Sequence, residues 1–342
     1  METAVLNQRS VYGGELPSVR CLSCGAFVEL SPGNNVCPCG KSFNWKGRVL
    51  DCAAGEDAFY EGWYNAEIHF DAARLARPWG RTLLHFLVYG YYEAILRFVP
   101  QGARILDIGC AGGSELLAQR GRVTGLDVSL RAAETAARRY PCAVRGDVRA
   151  TDFSPGSFDA IVSSFVWEHM KPGEKDLLLE KFQAWLRPGG KVVLLFDVES
   201  RNPLFERARR RPGFYQRGFI EHDGHYGLET VSAVLRRFTN HRFLIRWHHA
   251  ANRTPLQHLP VWGWFGPYGQ EYPALRLLTK LSNSISENRM ANRAYTGSVQ
   301  LFDDTLGRVF PKDWARLLTV ALEKPLETSQ EMSASAPTPD SL

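Results

Sequence analysis

Three groups of residues in this chain have the types and spacing to do chemistry. Near the N-terminus, Cys21-Leu22-Ser23-Cys24-Gly25 is followed by Cys37-Pro38-Cys39-Gly40. Thiolates paired in this way suit a tetrahedral zinc ion, and a module this small needs a staple to fold. The second pair is Cys-x-Cys, one residue short of the usual knuckle. Either the knuckle is tighter and Cys39 is the last ligand, or Cys52 replaces it beside Cys21, Cys24 and Cys37. The second group is Ile105-Leu106-Asp107-Ile108-Gly109-Cys110-Ala111-Gly112-Gly113-Ser114, a glycine-rich turn with acids at regular intervals after it: Asp107, Asp127 and Asp147. Glycines let a backbone turn tightly and approach a ligand, and a helix that begins there offers free N–H groups. An acid at the end of a following strand suits paired hydrogen bonds to ribose hydroxyls, whereas Asp147 also reads as a plain helix cap. The third group is histidine-bearing: Val166-Trp167-Glu168-His169-Met170 and Glu221-His222-Asp223-Gly224-His225-Tyr226. An imidazole titrates near neutral pH and can take a proton from a hydroxyl. His169 reads as such a base or as a brace opening the next helix; His222 and His225 read as bases, metal ligands or ordinary loop residues.

The elements that must hold these residues alternate between strand and helix. Short apolar runs at 104–108, 123–126, 142–145, 158–164 and 191–196 predict strands; helical patterns at 114–119, 130–139 and 174–186 separate them. Such alternation indicates βαβ units and a parallel sheet, which brings Asp107, Asp127 and Asp147 to its carboxyl edge, where open α/β sheets bind ligands. Beyond it, 228–238 and 273–286 predict helices, 243–248 a strand, and 315–322 a last strand or helix. The block before residue 55 has a turn at Ser31-Pro32-Gly33-Asn34-Asn35 and no long helical pattern, so a small β-ribbon fits.

The expected class is thus α/β: a Rossmann-like sheet with helices on both faces, plus a small N-terminal β-ribbon zinc module. The expected divisions are 1–54 for that module, 55–101 for a helical cap or linker, and 102–325 for the main domain. The main domain includes a cap over about 201–311, and a disordered, Ser/Thr/Pro-rich tail occupies 326–342. Of two aromatic stretches, 59–64 could close over the bound ligand as a lid and 261–268 could wall an apolar substrate or stack a base; both could instead fill gaps between core and cap. The chain has 342 residues, 44% of them hydrophobic, with a formal net charge of +5, which permits an anionic partner without demanding one. No run approaches the ~18 apolar residues of a membrane span. Met1 to Gly13 lacks the pattern of an export signal, and the seven cysteines do not form a secreted framework, so a cytoplasmic protein is expected.

The motif series also carries a resemblance. Leu106-Asp107-Ile108-Gly109-Cys110-Ala111-Gly112-Gly113, Gly125-Leu126-Asp127 and Gly146-Asp147-Val148 resemble successive motifs of class I S-adenosylmethionine-dependent methyltransferases. So do Phe158-Asp159-Ala160-Ile161-Val162 with Glu168-His169, and Leu186-Arg187-Pro188-Gly189-Gly190. The resemblance implies that the turn through Gly109, Ala111 and Gly113 faces the methionine part of the cofactor, with Asp107 nearby. It implies that Asp127 holds the ribose and that Asp147 with Val148 contacts adenine. It also suggests a final antiparallel strand, which 315–322 could supply. Ala111 stands where the family often has glycine, a departure of one methyl group. A dinucleotide dehydrogenase would instead need Gly-x-Gly-x-x-Gly. The cysteine pairs resemble a zinc ribbon. The expected function is methyl transfer to a small-molecule, natural-product or glycolipid acceptor at oxygen. Its rival is an RNA base methyltransferase, suggested by the ribbon and by Arg207, Arg209, Arg210, Arg211 and Arg217. A third reading is a silent scaffold that keeps the fold.

Overall fold

The computed structural model describes residues 17–21, 23–29, 36–52, 90–211, 213–221, 223–254 and 273–326. The aromatic stretches at 59–64 and 261–268, most of the 55–101 segment, His222 and the 327–342 tail lie outside these residues.

Two short strands, β1 (Ser18–Arg20) and β2 (Phe27–Glu29), pair antiparallel around the first cysteine pair. β3 (Asn44–Lys46) and β4 (Val49–Asp51) form a hairpin after the second pair. Then come α1 (Tyr91–Phe98), β5 (Ala103–Ile108), α2 (Glu115–Arg120), β6 (Gly121–Asp127), α3 (Leu130–Ala136), β7 (Cys142–Arg145) and β8 (Phe158–Ser164). A single 3-10 turn at Trp167–His169 leads into α4 (Pro172–Trp185) and β9 (Leu186–Asp197). The remainder is α5 (Pro203–Arg209), a π-helical turn at Gln216–Glu221, α6 (Val231–Asn240), β10 (Leu244–Ala251), α7 (Pro273–Glu287), α8 (Arg289–Asp304) and β11 (Leu317–Glu323).

Nine strands make one sheet in the order β10-β11-β9-β8-β5-β6-β7-β4-β3. The strands from β4 to β9 within it are parallel, and the order reverses between β5 and β8, so a crevice opens at the carboxyl ends of those two strands. β11 lies antiparallel between β9 and β10, which settles the last element as a strand. Side chains alternate across this sheet. Leu106, Ile108, Val192, Leu194 and Phe196 join one buried cluster with Leu178, Phe182, Val234 and Phe238 of α4 and α6. Ile105, Val193 and Leu195 join another with Tyr91, Ile95, Leu116 and Leu117 of α1 and α2. Strands buried on both faces with helices over each are the expected layers.

The sheet takes strands from both the 1–54 block and the 201–311 region. β4 pairs in parallel with β7, and β3 extends it, so the latter half of the 1–54 block forms one edge of the main sheet. A buried ion pair fastens that edge, Arg145 Nη1 to Asp51 Oδ2 at 3.2 Å. The 201–311 region likewise contributes α6 and β10 to the layered core. α5 with the π-helical turn forms a small buried cluster of its own, and α7 packs with α8. Asp303 of α8 ties the latter down by accepting the backbone N–H groups of Asn252, Arg253 and Thr254, where the chain leaves β10.

Candidate functional site

The glycine turn sits where β5 ends. Gly109 has φ +67°, and a Cβ there would stand 2.3 Å from Cγ2 of Val166, so only glycine lets the segment after β8 close against this loop. Ala111 also lies in the left-handed region, at φ 44°, a strained position for a residue with a side chain. Its backbone is fixed there by Asp127 at the end of β6, whose Oδ2 accepts the Ala111 N–H at 2.9 Å. Oδ1 of the same carboxylate accepts from Ser129 N at 2.9 Å, so Asp127 joins the turn to the start of α3. Asp107 is buried beneath the loop. Burial, with the Asp127 carboxylate adding to it, pushes its carboxyl up to about 7 against a 2.6 Å hydrogen bond from the Tyr140 hydroxyl. That hydroxyl in turn accepts the N–H of Ser114 at 2.6 Å, which fixes the start of α2. Tyr91 and Tyr92 of α1 stand close enough for the Asp107 charge to act on their hydroxyls. Neither tyrosine was picked out from sequence, because α1 follows a region with no motif of its own.

Asp147, after β7, is placed differently from the other two acids. Although partial burial acts in the opposite direction, hydrogen bonds from Arg149 hold its carboxyl below the usual range. Arg149 Nη2 lies 2.5 Å from Asp147 Oδ2, and its Nη1 reaches Glu174 at 2.8 Å. Val148 beside it is buried.

The histidine segments meet across the carboxyl edge. Phe165 ends β8 in a left-handed conformation, φ 55°, which turns the chain sharply and leaves its ring 44% exposed. The 3-10 turn that follows buries Glu168 to 1% exposure. Burial, with Asp197 at the end of β9 next in effect, pushes its carboxyl well above the usual range. Oε1 of Glu168 accepts the Asp197 N–H at 3.4 Å, while Oε2 is buried with no hydrogen-bond partner. His169 Nδ1 lies 3.1 Å from the Gly224 carbonyl. A carbonyl only accepts, so Nδ1 is the donor in this contact. The His225 ring stands 5.2 Å from that of His169, and burial lowers its imidazole below the ordinary value. Ligand atoms of Glu168, His169 and His225 all lie within 4.8 Å of one another. The loop bearing His225 is held by Gly227, whose N–H donates to the Glu168 carbonyl at 3.0 Å. It is also held by the buried Lys175 ammonium, which reaches the Gly227 carbonyl and, at 3.0 Å, Glu229. The sequence pointed to each histidine; it could not show that His169 and His225 meet, because they belong to separate segments.

At the other end, the sulfurs of Cys21, Cys24, Cys37 and Cys39 all lie within 4.8 Å of one another, with Cys24–Cys37 at 3.4 Å and Cys21–Cys39 at 3.9 Å. A tetrahedral zinc with Zn–S near ~2.3 Å sets sulfurs roughly 3.8 Å apart, so this donor set fits. Cys52 stands outside the group, and burial pushes its thiol up to about 11.

Residues 105–190 match a family described as "Methyltransferase domain". An uncharacterized methyltransferase of Bacillus licheniformis is 30% identical over 177 residues, 48% of this chain and 82% of that protein. The chain belongs to the S-adenosylmethionine-dependent methyltransferases. The methyltransferase is also 35% identical over 135 residues to carboxy-S-adenosyl-L-methionine synthase of Chromohalobacter salexigens, covering 34% of the chain and 48% of the synthase. It is 31% identical over 226 residues to phosphoethanolamine N-methyltransferase 1 of Arabidopsis thaliana, covering 61% of the chain and 43% of that enzyme. It therefore spans about half the length, or less, of these two characterised relatives. The crevice fits the family's cofactor: a carboxyl beneath the turn can face a cationic ligand, and a fixed carboxylate at the end of β6 can accept from a diol.

Proposed function

We propose that this methyltransferase moves a methyl group to an oxygen of a small-molecule, natural-product or glycolipid acceptor. The observation that carries the reading is the meeting of His225 with His169, which lies three residues beyond Val166, whose side chain packs against Gly109 of the glycine turn. Bound S-adenosylmethionine supplies a methyl carbon already activated on a sulfonium, so the chain's own task is to position the acceptor and manage its proton. Asp127 is the group to hold the ribose, the 109–113 turn to face the methionine part, and Asp147 with Val148 to flank adenine. An alcohol must lose its proton to become a good nucleophile, and the paired imidazoles open a route for it.

Of the arginines that suggested RNA, Arg209 is turned inward, onto the Ser200 carbonyl, Glu206 and the Tyr215 ring, while Arg207, Arg210 and Arg217 are exposed. In the cleft between the cysteine module and α4, Lys181 is committed to the carbonyls of Val148, Arg149 and Thr151. The phosphoethanolamine enzyme among the relatives acts on a small molecule by its name, which agrees with a small acceptor. We also assign a structural zinc ion to Cys21, Cys24, Cys37 and Cys39, and place the protein in the cytoplasm, in keeping with free thiols throughout the described residues.

The test is turnover against cofactor affinity in His169→Gln and His225→Gln. Both variants should lose ~10²-fold or more in kcat, with S-adenosylmethionine affinity close to that of the unaltered protein. Near-normal turnover with weakened folding or cofactor binding would make the pair a brace only.

A further inference from the structure

The chain between β10 and β11 turns apolar side chains outward. Among the described residues, seven of the fourteen exposed large hydrophobic side chains fall between Leu277 and Val309, so they mark a region rather than scattered single residues. In α7, Leu277, Leu278 and Leu281 are all exposed, Leu277 to 65%, and Ile285 continues the same face one turn on. The buried residue among this helix's described side chains is instead Ser282, 3% exposed, with Thr279 half-buried one turn before it. α7 therefore rests on a small polar side and presents its leucines, the reverse of a helix that covers a core. Cations accompany them. Arg276 and Lys280 are exposed, and no acidic residue occurs from 273 to 286. The 3-10 turn Leu306–Val309 repeats the pattern, with Leu306 and Val309 exposed beside an exposed Arg308, Val309 to 83%.

This region belongs to the edge of the sheet that carries the glycine turn. Ala251, the last residue of β10, pairs with Leu317, and Leu317 pairs with Asp197 at the end of β9, so β10 ends at the carboxyl edge. Asp303, near the end of α8, accepts the backbone N–H groups of the residues just past β10, and a Cβ on Gly307 would stand 2.9 Å from Cγ2 of Thr254. α7 packs with α8.

We propose that α7 and the 306–309 turn seat this enzyme on the surface of an anionic lipid bilayer. An interfacial helix lays its leucines at the boundary of the acyl chains while nearby cations meet lipid phosphates, and it does so without spanning length. Charge selects the occupant. A second copy docked by the same face would bring further cations to Lys280 and Arg308, whereas acidic headgroups complement both. The proposal goes beyond the methyl-transfer reading and holds whichever atom is methylated. Of the acceptor classes named above, a glycolipid is the one such a surface carries.

The full chain is sedimented with vesicles of phosphatidylcholine, and with vesicles of phosphatidylcholine and phosphatidylglycerol in equal parts. It should bind the anionic vesicles at least ~10-fold more tightly than the neutral ones, and added salt should weaken that binding. Leu277→Gln combined with Leu281→Gln should weaken binding to the anionic vesicles by at least ~10-fold, with unchanged S-adenosylmethionine affinity showing that the variant folds. Lys280→Glu combined with Arg308→Glu should remove the preference for anionic vesicles. No binding to anionic vesicles, or the same binding in the folded leucine variant, would overturn the proposal. Failure to bind vesicles together with self-association that the leucine variant loses would overturn it in favour of a second copy. Vesicle binding is read without turnover, so a protein that binds vesicles as expected but transfers no methyl group would overturn the methyl-transfer reading and leave the docking surface standing.

Discussion

Asp107 is held under the glycine turn with its carboxyl pushed up to about 7, so near neutrality part of the population carries a proton. A cationic ligand nearby favours the ionised form and lowers that value. Binding of S-adenosylmethionine should therefore release protons at pH 6–7, and affinity should rise with pH up to about 7 and then level off. Calorimetry in two buffers of different ionisation enthalpy reads this directly; proton uptake, or affinity falling as pH rises toward 7, would contradict the placement. The same shift has a cost for folding. A carboxyl raised above its unfolded value binds more protons when folded, so this residue's contribution to stability declines as pH climbs from about 4 to about 7. At this scale the acids could be placed from the sequence because Asp107 and Asp127 lie at strand ends and Asp147 just after a strand, and a parallel sheet sends strand ends to one edge. Two things were not legible. Glu168 was read only as a partner to His169, since nothing in the sequence shows that one of its oxygens is buried without a partner. The left-handed turn at Phe165 was also hidden, because bulky residues rarely adopt it.

Individual elements show how distant segments are brought to that edge. A Cβ on Gly227 would stand 1.6 Å from the Met170 carbonyl oxygen, so the loop bearing His225 lies backbone to backbone against the turn bearing Glu168. Gly227→Ala should cost about 1–3 kcal/mol in denaturant unfolding and lower kcat more than cofactor affinity, because the loop must lift. Equal losses in both would mean that the loop does not position His225. α5 and the π-helical turn form a small core of Phe205, Ala208, Phe214 and Phe219, which anchors the segment preceding that loop. Their sequence reads as charged and aromatic without a clear period, which is why neither was expected. The alternating strands, by contrast, were placed within a few residues, since each is a short apolar run between turn signals. The cysteine module belongs to this scale as well. β1 lies against the segment following β7, with Arg20 N donating to the Asp152 carbonyl at 2.9 Å, and β4 pairs with β7 itself. Cys24→Ser should then remove about one zinc per chain by elemental analysis and also weaken S-adenosylmethionine binding through the Asp147–Val148 edge. Unchanged zinc content would exclude this cluster as the metal's holder.

Across the whole molecule, one sheet joins the β3–β4 hairpin that follows the cysteines, the glycine turn and the histidine cluster. The reversal of strand order between β5 and β8 opens the crevice where the last two face each other. Among the described residues no helix is long and apolar enough to cross a membrane. The parallel sheet and its final antiparallel strand followed from the motif series and its family resemblance. The joining of β3 and β4 to the sheet did not, because a composition change at residue 54 marks a change of local pattern rather than a break in pairing. The central claim, methyl transfer to a small acceptor, is tested most directly with methyl-labelled S-adenosylmethionine. The full chain is incubated with separate small-molecule and RNA fractions, beside Asp127→Ala, which should lose at least ~1.5 kcal/mol of cofactor binding through its charge-assisted hydrogen bonds. Label should pass to the small-molecule fraction and fall sharply in the variant. Label entering RNA instead, or no transfer to either fraction by protein that binds the cofactor, would contradict the account.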